Sequence, residues 1–204
     1  MARQKTSRVK DKWREKKWVT VLLPASFDKK PIAYIPITDD KSAVGRVIEC
    51  TLHDILKGDP SQHQFKLYFQ LDKVEGETAT TIFKRFEYAK EFLRSLVRRG
   101  SSLISFIADF KTKDGYIFRI KIVALTQKKL NTSRKHAIRL VAQEVMTKTI
   151  PEMTIDQFIQ ATVFGKINSD IMAAVKKIIH VRHVGIEKAK LIRTAEGEIA
   201  LLQA

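Results

Sequence analysis

The alternation of apolar and polar positions predicts β-strands over most of the first 125 residues. The clearest case is residues 65–72, where Phe65, Leu67, Phe69 and Leu71 share one face and polar or amphipathic side chains the other. This period of two is typical of a half-buried strand. Runs rich in β-branched and aromatic residues extend that prediction to strands at 18–23, 44–52, 64–74, 78–86, 102–111 and 116–125.

Turn-forming residues separate these runs. Pro24, Pro31 and Pro36 interrupt the segment 24–41, which therefore predicts an irregular loop. The dipeptide Asp114-Gly115 supplies the positive φ that a tight turn requires. It predicts a hairpin between the last two strands of this part.

Helical periodicity begins at residues 88–99, where apolar side chains line one face and Lys90, Arg94 and Arg98 form a stripe on another. Gly100 is expected to end that helix. Thr154 and Gln157 match a capping box. Further helices are predicted at 133–149, 154–164 and 168–179. The residues at 181–192 again have a pattern typical of a strand.

Strands and helices are thus largely segregated, which predicts the α+β class. We expect a basic N-terminal arm at 1–17, a single globular domain at 18–193 and a short C-terminal tail at 194–204. Within the domain, the order expected is β-rich at 18–125, helical at 131–179 and a returning strand at 181–192.

The charge of the chain points to a polyanionic partner. Its 204 residues include 38 Lys+Arg against 22 Asp+Glu, a formal net charge of +16, which favours nucleic acid over an anionic membrane surface. No apolar run approaches the roughly 18 residues of a membrane span, and no secretory signal is visible, so a cytosolic chain is expected. The single Cys50 excludes an internal disulfide and is interpreted as a small buried strand residue.

Basic residues are concentrated at the N-terminus, where the segment is either a solvated tail or, as we favour, an arm that folds on RNA. Its candidate phosphate contacts are Arg3, Lys5, Arg8, Lys10, Lys12, Arg14, Lys16 and Lys17. Trp13 and Trp18 stand among them and either stack on bases or anchor the arm on the protein's own core. Of these two interpretations we favour anchoring.

A second concentration lies at 115–143, which contains no Asp or Glu. Solvent-exposed surfaces normally carry both positively and negatively charged side chains. A run without acidic residues therefore indicates a face in contact with phosphate. Its RNA-binding candidates are Lys128, Lys129, Arg134, Lys135 and Arg139. Arg94, Arg98 and Arg99 join them because arginine adds a planar fork and a stacking face.

The sequence contains none of the short motifs that are typical of catalytic sites, such as phosphate-binding glycine loops or metalloprotease signatures. His180 and His183 are the best metal candidates, but two histidines fall short of a ligand set. We interpret them as surface or RNA-facing residues. No catalytic, cofactor or metal site is predicted, and an RNA-modifying enzyme using these histidines is the least favoured hypothesis.

Six segments resemble, in order, the ribosomal protein S-three-A-e family of the archaeal and eukaryotic small subunit. They are KDKWREKKW at 10–18, GRVIE at 45–49, LRSLVRR at 93–99, TKDGY at 112–116, TSRKHAIR at 132–139, and KKI at 176–178 followed by Val184, Ile186 and Lys188. The short C-terminus is similar to the archaeal form. Departures occur at 30–34, at 180–182 and at 84–88, where Lys84 and Arg85 complete the RNA-binding candidates.

The resemblance implies an antiparallel β-barrel-like core with peripheral helices and no catalytic activity. It implies a cytoplasmic, ribosome-bound structural protein that binds small-subunit rRNA on the platform, near the mRNA exit and the 3′ end of that RNA. Neighbouring platform proteins and mRNA in the exit channel are the further partners implied, with no cofactor, membrane or small-molecule substrate. The alternative is a free RNA chaperone or translation regulator acting off the ribosome.

Overall fold

The structure, a computed structural model, describes residue 11 and residues 13–194. Its strands are β1 (Lys17–Leu22), β2 (Pro31–Ile37), β3 (Val47–Thr51), β4 (Phe65–Glu75), β5 (Thr78–Tyr88), β6 (Leu103–Lys111), β7 (Ile117–Thr126) and β8 (Val181–Arg193). Its α-helices are α1 (Asp40–Ala43), α2 (Leu52–Leu56), α3 (Lys90–Leu96), α4 (Thr132–Thr149), α5 (Ile155–Val163) and α6 (Lys166–Lys176). Within this part of the chain, no helix is long and apolar enough to cross a membrane.

The strands form one sheet that branches at β5. One edge of β5 pairs along its length with β4, which in turn pairs with β3. The other edge is divided: the start of β5 pairs in parallel with β1, and its end pairs antiparallel with β8. The path through the sheet is β2-β1-β5-β8-β7-β6.

The α+β class is confirmed, whereas the antiparallel, barrel-like core is not. One of the strand pairs, β1 with β5, is parallel. Among the residues described, the pairings end at β2, β3 and β6, so the eight-stranded sheet is not closed into a barrel.

The main core lies between the sheet and the three C-terminal helices. In α4 the buried side chains are Ile138, Ala142 and Met146, and in α6 they are Ile167, Ile171 and Val175. Their spacing of four residues places each set on one helical face. The α5 residue Phe158 packs its ring 4.7 Å from that of Phe118 in β7. A smaller apolar cluster lies under β1 and β2.

The predicted loop at 24–41 is wrong, because it contains β2. Among the residues that the structure describes, this strand lies at an edge and pairs only with β1. Pro31 is its first residue, and Pro36 lies near its end. Proline is tolerated at such positions because an edge strand leaves some backbone N–H groups outside the hydrogen-bonded ladder.

The helix predicted over 88–99 is shorter in the structure, since α3 ends at Leu96. Val97 already has extended backbone angles, φ −78° and ψ 125°. The Arg182 guanidinium donates a hydrogen bond to the Leu96 carbonyl, an oxygen that the helix leaves without an internal partner. Arg98 and Arg99 therefore lie in the following loop, and of the predicted stripe only Lys90 and Arg94 lie on α3.

Candidate nucleic-acid interface

Two loops that are distant in sequence are joined at one end of the β6–β7 hairpin. The buried Ser102 backbone N–H donates to the Thr126 hydroxyl at 3.0 Å, and the Leu130 N–H donates to the Ser102 hydroxyl at 3.0 Å. The Thr126 hydroxyl also lies 2.7 Å from the Lys128 carbonyl, to which it donates. These bonds hold the loop at 97–102 beside the loop at 127–131.

Six of the predicted RNA-binding residues lie in these loops and in the first turn of α4, and we call them the basic cluster. Its members are Arg98, Arg99, Lys128, Lys129, Arg134 and Lys135. Lys135 is half-buried and the others are exposed. Among the residues that the structure describes, no acidic side chain forms an ion pair with them. The cluster is therefore available to neutralise phosphates.

Two other predicted residues have different environments. The Arg139 guanidinium is half-buried, and its Nε donates to the Ser105 carbonyl at 3.1 Å. This contact fixes α4 against β6. Arg94 is exposed and lines a groove of about 230 Å³ beside the apolar side chains of Leu93, Val97 and Leu103. Neither residue belongs to the basic cluster.

The segment 115–143 contains no acidic residue, but acidic residues of neighbouring strands lie next to two of its basic side chains. Arg119 donates two hydrogen bonds, at 2.7 and 2.8 Å, to the carboxylate of Asp109 on the neighbouring strand. This contact lowers the pKa of the Asp109 carboxyl. Lys121 pairs with Glu187 of β8 at 2.7 Å. The strand portion of the run is thus neutralised by the sheet, and the cluster beyond it is not.

Lys84 and Arg85 have different environments, and Arg85 lies among an acid and a tyrosine. Arg85 places its guanidinium carbon 3.9 Å from the centre of the Tyr68 ring and its Nε 3.5 Å from Glu87. The Tyr68 hydroxyl donates to Glu87 at 2.9 Å. Burial, followed by this hydrogen bond, raises the pKa of Tyr68 to about 12. Burial, with Lys190 nearby, lowers the pKa of Lys84.

The described part of the predicted arm carries two exposed indoles. Trp13 is 64% exposed and Trp18 is 60% exposed, so the anchoring interpretation is wrong. Lys16 places its ammonium 3.8 Å from the Trp13 ring centre, and Lys17 pairs with Asp40 at 2.7 Å. Arg14 is exposed. Five further candidates lie outside the described residues, namely Arg3, Lys5, Arg8, Lys10 and Lys12.

Sequence reasoning missed Tyr34, which is 70% exposed on β2. The segment was predicted to be a loop, so the face on which Tyr34 lies was not considered. The alternation in Ala33, Tyr34 and Ile35, beside a strand with its own alternating residues, is the signal that could have placed it.

The residues considered for enzyme chemistry serve the fold. Cys50 is buried, and burial raises the pKa of its thiol to about 12, so it is not a nucleophile at neutral pH. His183 packs its ring 5.9 Å from that of Phe92, and burial lowers its pKa. His183 is thus half-buried rather than fully on the surface, whereas His180 is exposed. Within the described chain, no group of three side chains is arranged to hold a metal ion.

Comparison with known proteins gives a consistent result over nearly the whole chain. The model of the Ribosomal S3Ae family matches residues 4–195. A protein of Desulfurococcus amylolyticus named small ribosomal subunit protein eS1 is 46% identical over 90% of this chain and 86% of its own length. Proteins of the same name from Saccharolobus islandicus and Saccharolobus solfataricus are 40% and 41% identical, each over 93% of this chain and 90% of the relative. The chain belongs to the Ribosomal S3Ae family, a family of structural ribosomal proteins and not of enzymes.

Proposed function

We propose that this protein is a structural constituent of the small ribosomal subunit that binds its rRNA. The basic cluster carries the proposal, because it sets six cations without acidic partners, among the described residues, at the junction of two loops. The relatives named small ribosomal subunit protein eS1 and the net charge of +16 support it.

In this role the folded sheet fixes the positions of the cations, and the cations neutralise rRNA phosphates. Contacts of this kind orient a protein on folded RNA but carry little sequence information. Specificity then comes from the shape of the RNA, which must place phosphates opposite the cluster. The protein's own ion pairs, such as Arg119 with Asp109, keep other basic residues from competing for phosphate.

The proposed location is the platform, near the mRNA exit and the 3′ end of the small-subunit rRNA. There the protein has neighbouring platform proteins and mRNA as further partners, and the basic residues of 1–17 add phosphate contacts. This places the protein in the cytoplasm, bound to ribosomes.

Sucrose-gradient fractionation of native extract at low and high salt tests the proposal. We expect the chain, followed by antibody, to remain with small subunits after a high-salt wash, with RNA crosslinks near the 3′ end of the rRNA. Most copies in the light fractions at both salt concentrations would contradict it. That result would favour the free RNA chaperone or translation regulator.

A further inference from the structure

The outer face of the β1–β2 pair is aromatic and uncovered. Trp18 lies opposite Pro36, and Thr20 lies opposite Tyr34. Directly opposed residues of an antiparallel pair share a face, as do residues two apart on one strand. Trp18 and Tyr34 are therefore diagonal neighbours on one face, with side chains roughly 7–8 Å apart at their base.

The two faces of this pair differ sharply in burial. Val19 and Val21, which point the other way, are 1% and 0% exposed in the smaller apolar cluster. Trp18 and Tyr34 are 60% and 70% exposed. The strands thus already have a core on one side, and the exposed rings on the other contribute little to it. The two rings are therefore free to contact a partner.

Cations lie in the segment that leads into β1. A turn precedes β1, in which the Trp13 N–H donates to the Asp11 carboxylate at 3.0 Å and the Lys16 N–H donates to the Trp13 carbonyl at 3.3 Å. It carries the exposed Arg14 and places the Lys16 ammonium over the third exposed ring, that of Trp13. In sequence, residues 1–10 add four basic residues and no acid.

We propose that Trp18 and Tyr34 form a stacking platform for unpaired nucleotides of single-stranded RNA. Aromatic rings bind bases of any sequence, since every base has a flat face, and nearby cations follow the phosphates. Rings held on a rigid strand pair lose little conformational freedom on binding. The platform rests on the proposed function. It would bind unpaired RNA in preference to helical RNA, a distinction that the basic cluster does not make.

The charge around the rings favours RNA as the occupant rather than an apolar protein segment. Lys17 is paired with Asp40, whereas Arg14 and Lys16 lie in the turn that leads into β1 and have no acidic partner among the described ion pairs. A helical RNA keeps its bases stacked on one another, so their flat faces are covered. Only an unpaired strand presents both the base faces and the phosphates that this surface can bind.

The test uses a 12-nucleotide oligouridylate, the same chain with abasic sites, and the full-length protein. Trp18→Ala with Tyr34→Ala removes the platform, and Trp18→Phe with Tyr34→Phe restores flat rings. Phe164→Ala is the matched control, because Phe164 is an aromatic side chain equally exposed, at 64%, at the end of α5.

Trp13 and Trp18 are the chain's two tryptophans. In a Trp13→Phe background, quenching of fluorescence therefore reports on Trp18 alone.

We expect the double alanine variant to bind oligouridylate about 10- to 100-fold more weakly. The slope of log affinity against log salt should not change, because no phosphate contact is lost. The abasic chain should bind both proteins equally, the phenylalanine variant should bind like wild type, and oligouridylate should quench Trp18. An equal loss on the abasic chain, or no loss on either, would overturn the platform.

Sedimentation separates this proposal from the proposed function. Wild-type protein that remains with small subunits but shows no base-dependent binding to oligouridylate overturns the platform alone. A double alanine variant that binds oligouridylate normally but leaves the subunit also overturns it, and would identify the face as a protein contact. Circular dichroism of each variant confirms that the sheet is intact.

Discussion

At Gly185 the β8 backbone passes against the side chain of Tyr88. A Cβ atom at this position would overlap the Tyr88 hydroxyl and lie 3.0 Å from its Cζ and 3.1 Å from His183 Nε2. Tyr88 has little freedom to move, since its ring meets that of Phe92 edge-on at 5.3 Å. The Asn168 amide donates to the Tyr88 hydroxyl at 3.5 Å. Glycine is required here by space rather than by backbone angle.

We expect Gly185→Ala to lower the free energy of unfolding by about 1–3 kcal/mol through overpacking. Adding Tyr88→Phe removes the oxygen that the new methyl overlaps, so the double variant should recover part of the loss. Urea denaturation of the two single variants and the double variant measures this coupling. Simple additivity of the two single effects would show that the methyl is accommodated elsewhere.

At the scale of elements, the start of α5 is fixed from two directions. The Thr154 hydroxyl accepts from the Gln157 N–H at 3.4 Å, and the Gln157 side chain accepts from the Thr154 N–H at 3.2 Å. Asp114, from the turn between β6 and β7, accepts from the Ile155 N–H at 2.6 Å. The helix therefore stabilises the hairpin turn that helps to cap it.

Thr154→Ala and Asp114→Ala should each lower the free energy of unfolding by about 1 kcal/mol, because each leaves a first-turn N–H without its partner. Thr147→Ala is the control, since Thr147 is an exposed residue within α4 whose replacement leaves no cap open. Urea denaturation compares the three variants. Equal stability of the Thr154 and Thr147 variants would mean that water replaces the cap without cost.

Local signals determined which elements sequence reasoning could predict. The capping box at Thr154, the hairpin turn at Gly115 with its φ of +90°, and the alternation in β4 are all confirmed. These features depend on neighbours within a few residues. The strand β2 was missed because strand prolines are confined to edges, strand starts and bulges, which depend on pairing with distant segments. The predicted α3 was too long, and the carbonyl of its last residue, Leu96, is instead bound by Arg182, 86 residues away.

At the scale of the whole molecule, the sequence predicted the net charge but not which cations remain unpaired. Arg119 and Lys121 belong to an acid-free run, yet their acidic partners come from neighbouring strands, β6 and β8. The basic cluster depends in the same way on the Ser102–Thr126 contact between distant loops. Whether the sheet closes into a barrel also depends on strand pairing between distant segments. The local pattern of apolar and polar residues carries no information about this pairing.

The difference between paired and unpaired cations predicts the salt dependence of RNA binding. Lys128→Gln with Arg134→Gln removes two members of the basic cluster, and Lys66→Gln with Arg119→Gln removes two cations that are paired with Glu49 and Asp109. Both variants lower the formal net charge of +16 by two. Any general effect of charge should therefore be the same in the two proteins.

We expect the cluster variant to reduce the slope of log affinity against log salt by about 1.5 for small-subunit RNA, because each lost phosphate contact removes about 0.7–0.9. The paired-cation variant should change it by less than about 0.5, since those side chains already have acidic partners. Filter binding between about 50 and 300 mM salt measures both slopes. Equal reductions would mean that RNA responds to total charge, and the cluster would lose its special role.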